Sequence, residues 1–270
     1  MTDYYSREMD MEYMSSSQLK KFLGCPARPA CEAKAVAELQ GEWETPKSDA
    51  LLIGSYIDIC LTGTEDERIE FLEAHPEMFS SKGATKGQLK AQFRQADAMI
   101  ARIYEDRDRG GVFMKYLEGD MQKVYFGEIH GYKFKAKLDV IGDGWICDFK
   151  STESINKMQF NKGWYNFIDY WGYDLQGAIY QELVYQNTGK RLPFFIAAVS
   201  KESEPDLGVF RIPQENLDLA LDLVTPEKLE RISLLKAGEI EPKRCERCDY
   251  CRHTKVITKP MNYIDIGGTD

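Results

Sequence analysis

Asp139, Asp148 and Lys150 are close in sequence and carry the groups that hydrolysis of a phosphodiester requires. Two neighbouring carboxylates repel each other, and a divalent cation relieves that repulsion; such oxygen ligands suit Mg²⁺ or Mn²⁺. A bound ion polarises a phosphoryl oxygen and lowers the pKa of a bound water, while a lysine beside that water orients it or stabilises developing negative charge. The alternative is a solvated hairpin surface with mixed charges, because a short Asp-x-Lys triplet also occurs by chance.

The stretch between the two aspartates predicts a β-hairpin that brings them together. An Asp-Gly dipeptide at 143–144 is typical of a two-residue type I′ turn, which pairs Gly142 with Trp145. In that register Asp139 lies directly opposite Asp148.

The same register divides the predicted hairpin into two faces, because side chains alternate along a strand. One face holds the carboxylates, with Lys137 opposite Lys150. The other face is apolar throughout and consists of Phe134, Ala136, Leu138, Val140, Cys147 and Phe149. A slip of one residue would place Asp148 among apolar residues, so burial specifies the register as well as the turn does.

Apolar periodicity predicts the other helices and strands. Residues 122–150 alternate with a period of two and predict a three-stranded meander, broken at His130-Gly131 and at 142–144. Helices are predicted over 15–23, 31–39, 48–61, 86–108, 169–187 and 213–237, and strands over 194–200 and 207–212. This order indicates helices packed on a mixed sheet, an α/β (α+β) fold.

The length of 270 residues and an apolar fraction of 43% favour a single domain with a substantial core. We expect one nuclease domain over 1–270, composed of an N-terminal helical segment (1–47), a catalytic core (48–237) and a cysteine-rich C-terminal segment and tail (238–270).

Two of the predicted helices carry polar residues that could serve the same site. Tyr173, Gln176 and Tyr180 are spaced i, i+3, i+7 and share one face; a partly buried amphipathic face is the alternative. On the helix over 48–61, Gly54 and Asp58 also share a face. Glycine there permits close helix–strand approach, and Asp58 could reach a metal, although such an acid is more often a surface or capping residue.

A Cys-x-x-Cys-x-x-Cys motif near the C-terminus predicts a metal site, formed by Cys245, Cys248 and Cys251. Three thiols this close do not pair sensibly as disulfides. A fourth ligand would complete a tetrahedral Zn²⁺ site or a [4Fe–4S] cluster. We select Cys25 as that ligand, with Cys31 and His253 as alternatives.

The net charge of −9 argues against a general nucleic-acid coat protein, which would carry excess Lys and Arg. A nuclease remains compatible with it, because metal ions and a local basic groove supply positive charge where DNA binds. No apolar run approaches the ~20 residues that span a bilayer. Residues 1–12 lack the apolar region of a secretory signal, so we expect a cytoplasmic protein without a membrane partner.

A basic strip beside the proposed metals is expected from Lys133, Lys135, Lys137 and Lys150. Trp164, Tyr165 and Trp171 lie on or before the helix that carries Gln176. Aromatic side chains near a cationic groove stack on unpaired bases, although core or rim packing is equally common for such residues.

Taken in order, these elements resemble the RecB-like branch of the PD-(D/E)xK nucleases, particularly phage RecE-type exonucleases. The resemblance covers most of the chain. Ser15, Ser17, Leu19, Cys25 and Pro26 look like the family's opening helix, Ile53–Asp58 like its Gly-x-x-x-His motif, Asp139 with 148–150 like its catalytic core, and Gln176-x-x-x-Tyr180 like its substrate-contacting motif. One departure stands out, because Asp58 occupies the position where the family usually has histidine.

The resemblance implies a restriction-endonuclease-like core and Mg²⁺-dependent cleavage of DNA. Asp58, Asp139, Asp148 and the Phe149 carbonyl would be metal ligands, and Lys150 would assist the attacking water. It also implies an exonuclease on linear duplex DNA in phage-type recombination or repair, with an annealing protein as candidate partner, and an iron–sulfur cluster that joins an early cysteine to the C-terminal group. Rival interpretations are an endonuclease on the same fold and a catalytically impaired DNA-binding or assembly module.

Overall fold

A mixed sheet of five strands runs through the centre of the molecule. The computed structural model describes residues 3–45, 49–156, 159–160, 163–260 and 262. In chain order the strands are Asp120–Ile129 (β1), Tyr132–Gly142 (β2), Trp145–Thr152 (β3), Gln159–Phe160 (β4), Trp164–Tyr165 (β5), Phe194–Ser200 (β6) and Leu207–Arg211 (β7). The large sheet has the order β1-β2-β3-β6-β7, with β3 and β6 parallel and the other neighbours antiparallel, and β4 pairs with β5 apart from it.

The predicted three-stranded meander is confirmed as β1, β2 and β3. His130 and Gly131 both have positive φ (51° and 80°), as a type I′ turn between β1 and β2 requires. Gly142 pairs with Trp145 as predicted. The predicted turn type between β2 and β3 is wrong, however, because only Gly144 of that turn has positive φ (99°).

Helices cover the sheet. In chain order they are Arg7–Glu12 (α1), Ser16–Leu23 (α2), Glu32–Gln40 (α3), Asp49–Thr62 (α4), Glu65–Ala74 (α5), Ala91–Asp108 (α6), Phe167–Trp171 (α7), Tyr173–Thr188 (α8), Gln214–Asp222 (α9), Pro226–Ala237 (α10) and Asp249–His253 (α11). Short 3₁₀ helices span Pro76–Met78, Gly83–Thr85 and Phe113–Leu117. Within the described ranges, no helix is long and apolar enough to cross a membrane.

Two helices predicted as continuous are each divided in two. Gly172 adopts a left-handed conformation (φ 62°) that ends α7 and precedes α8. Pro226 begins α10 after the chain leaves α9, because a proline inside a helix removes a backbone donor and clashes with the preceding turn. The sequence patterns also missed α1, α5 and the short α11 in the cysteine-rich C-terminal segment.

Apolar clusters lie on both faces of the sheet, and strand β6 divides its side chains between them. Residues Phe194, Ile196 and Ala198 face the first cluster, to which α2, α3, α8, α9 and α10 contribute. Ala197 and Val199 face the second cluster, to which α4 and α6 contribute. The predicted α+β fold, with helices flanking a mixed sheet, is confirmed.

The single apolar face that was predicted for the β2–β3 hairpin is wrong. Phe134, Ala136 and Leu138 belong to the first cluster. Val140 and Cys147 belong to the second cluster, and Phe149 is only half-buried. Helices cover both faces of this sheet, so apolar positions are required on both.

Close packing of α8 on β6 depends on Gly177. A Cβ atom at this position would overlap the ring of Phe194. The absence of a side chain therefore lets the helix approach the sheet, and this approach brings the neighbouring Gln176 to the strand that carries Asp148.

Candidate active site

Asp139 and Asp148 lie at the point where β2 and β3 separate. Counted from the turn, the last residue pair between β2 and β3 is Val140 with Cys147. Asp139 and Asp148 are the next residues on their strands. Oδ2 of Asp139 accepts a hydrogen bond of 3.0 Å from the backbone N–H of Phe149. Because a side chain takes this N–H, the strands part there and leave the carboxylates beside each other.

Lys150 forms an ion pair with Oδ2 of Asp148, and both side chains are largely withdrawn from solvent (19% and 2% exposed). Oδ2 of Asp148 nevertheless receives no hydrogen bond of normal geometry, and Asp148 is buried. A buried carboxylate oxygen with incomplete hydrogen bonding is costly in a protein interior. It is the kind of atom that a metal cation would stabilise.

Crowding of acids changes the protonation of this site. Burial raises the pKa of Asp139 to about 7, and the charges of Asp148 and Asp58 act in the same direction. Lys150 and the N–H of Phe149 oppose them. Burial lowers the pKa of Lys150, but the attraction of Asp148 and Asp139 outweighs it and raises that pKa above its usual value. The amine is therefore charged at neutral pH.

Helix α8 contributes the residues that were predicted to share one face. Nε2 of Gln176 donates to Oδ1 of Asp148 (2.7 Å) and to the hydroxyl of Tyr180 (3.1 Å). The ring of Tyr173 lies 5.0 Å from Nζ of Lys150. The i, i+3, i+7 spacing thus places these side chains against the acid–lysine group.

An open cleft lies beside these residues. Asp58 of α4 lines this cleft together with Asp139. Burial raises the pKa of Asp58, and the nearby charge of Lys137 opposes that shift. The predicted close approach at Gly54 is wrong, because a Cβ there would have no atom within 4 Å. Gly54 borders the open cleft instead of a strand.

The cleft has a volume of about 810 Å³. Its floor includes Asp139, Phe149 and Lys150, and its other cationic and aromatic residues include Lys20, Lys21, Arg28, Lys201, Tyr5 and Trp171. The guanidinium of Arg28 lies 5.5 Å from the ring of Trp171. Trp164, by contrast, is 71% exposed, and neither it nor Tyr165 lines the cleft.

The predicted basic strip on β2 is wrong. Lys133 pairs with Glu12 of α1 (2.8 Å), and Lys135 is buried in an ion pair with Asp10 (2.7 Å). Lys137 remains near the site, with Nζ 5.0 Å from the ring of Tyr5. The strip fails because α1, which the sequence analysis missed, packs over β2 with its acidic residues.

Lys20 and Arg28 were missed as cleft residues. Lys20 is three positions after Ser17, which also lines the cleft, so both lie on one face of α2. This helical spacing was a signal that could have identified Lys20. Arg28 follows the end of α2, and no periodicity marks it.

Four cysteines meet where α3 and α11 pack together. The Sγ atoms of Cys31, Cys245, Cys248 and Cys251 all lie within 4.8 Å of one another. The selection of Cys25 as the fourth member is therefore corrected to Cys31, one of the alternatives considered. Cys25 lies in the cleft, where its backbone pairs with that of Arg28. A five-residue turn after α2 carries the chain from Cys25 to the position where Cys31 begins α3.

Comparisons with known proteins agree with this fold. The sequence model of a family described as "PDDEXK-like domain of unknown function" matches residues 15–254. The crystal structure of a "Putative exonuclease" from Eubacterium rectale is similar with a TM-score of 0.88 and 43% identity, over 98% of this chain and 96% of that chain. A search of curated proteins found no match.

The mixed sheet and its acid–lysine group define the PD-(D/E)xK nuclease superfamily as the class of this protein. Within that class, the chain belongs to the family of PDDEXK-like domains whose model it matches over most of its length.

Proposed function

We propose that this protein is a metal-dependent deoxyribonuclease that degrades linear duplex DNA from its ends. The observation that carries the proposal is that Asp58, Asp139 and Lys150 line one cleft, with the buried Asp148 paired to Lys150 beside them. Family membership supports hydrolysis of nucleic acid, and the description of the Eubacterium rectale relative supports the exonuclease mode. An exonuclease of this kind would produce single strands for phage-type recombination or repair, with an annealing protein as partner.

The donor atoms at this site suit Mg²⁺ or Mn²⁺. Carboxylates of Asp58, Asp139 and Asp148 and the carbonyl of Phe149 are hard oxygen ligands, and a cation would relieve the repulsion by Asp148 and Asp58 that helps to raise the pKa of Asp139. When bound, the ion would polarise the scissile phosphate and acidify a water molecule. Lys150, held beside Asp148, would orient that water and stabilise the charge that develops on phosphate oxygens.

Residues of α8 and the cleft walls would hold the DNA. Gln176 fixes Asp148 and the Tyr180 hydroxyl, and Tyr173 packs against Lys150, so these three would determine the position of the strand at the metal. Lys137 and Arg28 would contact phosphates, which need cations despite the negative net charge of the molecule.

A nuclease assay on matched linear and covalently closed circular DNA tests the proposal, with Mg²⁺, Mn²⁺ or EDTA. We expect degradation of linear DNA only, abolished by EDTA and reduced about a thousandfold or more by Asp148→Asn, since the negative charge that attracts the metal is lost. Asp143→Asn is the matched control, because this exposed aspartate lies in the turn of the same hairpin. Cutting of closed circles would identify an endonuclease, and DNA binding without any cleavage would identify a binding module.

We also propose that the four-cysteine cluster holds a single tetrahedral ion, Zn²⁺. Four thiolates at ~2.3 Å from one ion lie roughly 3.8 Å from each other. The Sγ separations are 3.6 Å for Cys31–Cys251, 3.7 Å for Cys31–Cys248 and 3.9 Å for Cys245–Cys251, which support this geometry. In a [4Fe–4S] cluster each thiolate binds a different iron, and the sulfurs are further apart.

Metal analysis of anaerobically purified protein tests this second proposal. We expect about one zinc per chain and no absorbance band near 400 nm, a region where iron–sulfur charge transfer absorbs. A brown protein that contains iron and loses its colour on oxidation would contradict the zinc assignment and support the cluster.

A further inference from the structure

Lys20 lies beside Lys150 in the cleft, although the two residues come from different elements. Lys20 is in the last turn of α2, and its Nζ donates to the carbonyl oxygen of Trp171 (3.3 Å). The same Nζ lies 5.3 Å from the ring of Tyr173, which Lys150 faces at 5.0 Å. Two ammonium groups thus share one aromatic ring next to the acid group.

The charges around Lys20 differ from those around its neighbours. In the part of the chain that the structure describes, no carboxylate lies within ion-pair distance of Lys20, whereas Lys21 pairs with Glu38 (2.7 Å) and Lys150 with Asp148. The titratable and charged groups that face Lys20 are Lys150 and Asp148 on β3, Cys25 and Arg28 after α2, and Tyr173 and Asp174 on α8.

These surroundings favour loss of a proton from Lys20. Burial lowers its pKa to about 8, and repulsion by Lys150 and Arg28 acts in the same direction against Asp148 and Cys25. Lys150 is held by Asp148, which keeps it charged and on the side of the acids. Lys20 therefore has an available proton that faces the cleft.

We propose that Lys20 is a second catalytic lysine, whose ammonium group protonates the oxygen that leaves phosphorus. This inference rests on the proposed nuclease function and adds a residue to it. The oxygen of the attacking water forms a bond to phosphorus, and that water gives one proton to solvent. The bond from phosphorus to the leaving oxygen breaks, its electron pair stays on that oxygen, and the oxygen takes a proton from Nζ. Lys20 then regains a proton from solvent.

Substitution of the leaving oxygen by sulfur tests this role. A thiolate leaves without protonation, so a bridging phosphorothiolate removes the need for an acid. The chemical groups at the ends of the products show which bridging oxygen leaves phosphorus when the unmodified protein cuts DNA. Sulfur then replaces that oxygen in the terminal linkage of the substrate. Single-turnover rates would be measured in Mn²⁺ on matched oxygen and sulfur substrates. The variants are Lys20→Met and, as control, Lys190→Met, at an exposed lysine after α8 that does not line the cleft.

Lys20→Met should lose about 100-fold or more of the rate on ordinary DNA, and most of that loss should disappear on the sulfur substrate. Lys190→Met should cut both substrates at nearly the rate of the unmodified protein. An equal loss on both substrates, or an undiminished rate on ordinary DNA, would overturn the proposal.

Lys20→Arg provides a second variant that retains the charge and most of the packing. Arginine is not an acid near neutral pH, so we expect the same defect on ordinary DNA and the same recovery with sulfur. Full activity of Lys20→Arg on ordinary DNA would overturn proton donation.

The pH dependence gives an independent readout. The rate on ordinary DNA should fall as the pH rises through about 8, where Lys20 loses its proton, and this fall should be absent on the sulfur substrate. Identical pH profiles on the two substrates would contradict the role of Lys20. Failure of the unmodified protein to cut either substrate would instead contradict the nuclease proposal as a whole.

Discussion

Burial and like charge act together on the carboxyl group of Asp139. Its pKa in the folded chain is raised to about 7, well above the value of an exposed aspartate. The stabilisation that results from this raised pKa is fully present below the pKa that the carboxyl group has in the unfolded chain. It is lost as the pH rises through about 7. Without metal, ionisation of this group therefore destabilises the fold at neutral pH, and a bound cation reverses the effect.

Asp139→Asn should remove this pH dependence. In EDTA, the free energy of unfolding of the unmodified protein should fall between pH 5 and pH 8. We expect this fall to exceed that of the variant by an amount on the order of 3 kcal/mol, because of the size of the pKa shift of Asp139. Urea unfolding at both pH values measures it. Mg²⁺ at pH 8 should stabilise the unmodified protein and not the variant; parallel pH profiles for the two proteins would contradict this account.

Gln176 is the hydrogen-bond donor for a carboxylate that has lost most of its solvent. Gln176→Ala should cost about 1–3 kcal/mol of unfolding free energy, because Oδ1 of Asp148 is left buried without this donor. Loss of this support should also weaken Mn²⁺ binding about 10–100-fold, measured by titration calorimetry. Gln186→Ala, an exposed site on the same helix, is the control and should leave Mn²⁺ affinity unchanged. Equal Mn²⁺ affinities in the two variants would refute the role given to Gln176.

At the scale of elements, glycine positions determine how closely helices approach the sheet and the cleft. Gly172 ends α7 and precedes α8, which places the Trp171 carbonyl within hydrogen-bond distance of Lys20 and the Tyr173 ring near both Lys20 and Lys150. Periodicity alone did not distinguish this break, since apolar spacing continues across it. The left-handed φ of a single residue decided the geometry.

Two helical glycines should respond to alanine with opposite signs. Gly177→Ala should destabilise the fold by about 1–3 kcal/mol, because the new Cβ would overlap Phe194. Gly54→Ala should stabilise it by about 0.5–1 kcal/mol, because α4 gains helix propensity and the Cβ meets open space. Thermal unfolding of both variants under the same conditions tests the pair. A stabilising Gly177→Ala would contradict the close approach of α8 to β6.

At the scale of the whole molecule, segments from opposite ends of the chain complete the structure. Helix α1 covers β2 and holds Lys135, while the cysteine cluster joins α3 to α11. A molecule of negative net charge thus retains a cleft lined by several cationic side chains.

Metal binding by the cysteine cluster, and the stability that it provides, should require only the four cysteines of that cluster. Cys31→Ser should remove bound metal and lower the Tm by several degrees, because metal binding contributes directly to folding. Cys25→Ser, the matched control, should keep the metal and the Tm of the unmodified protein. Elemental analysis and calorimetry of both variants decide between them; loss of metal from Cys25→Ser alone would restore the original assignment.

Much of the central sheet and of the acid–lysine group could be predicted from the sequence, because the signals are local. Alternation along β2 and β3 and a two-residue turn predicted the pairing of Gly142 with Trp145 that the structure has. Helical spacing on α8 likewise predicted which side chains point together, since that depends only on the period of the helix.

Other features were decided by the tertiary structure, because they depend on partners far away in the chain. Cys31 meets Cys251 across 220 residues, and no local pattern distinguishes it from Cys25. Lys135 was expected to face DNA and instead lies buried against Asp10, because the packing of α1 over β2 determines which lysines reach solvent. The sequence alone thus determined which groups could do the chemistry, whereas burial and long-range packing decided which of them share a cleft.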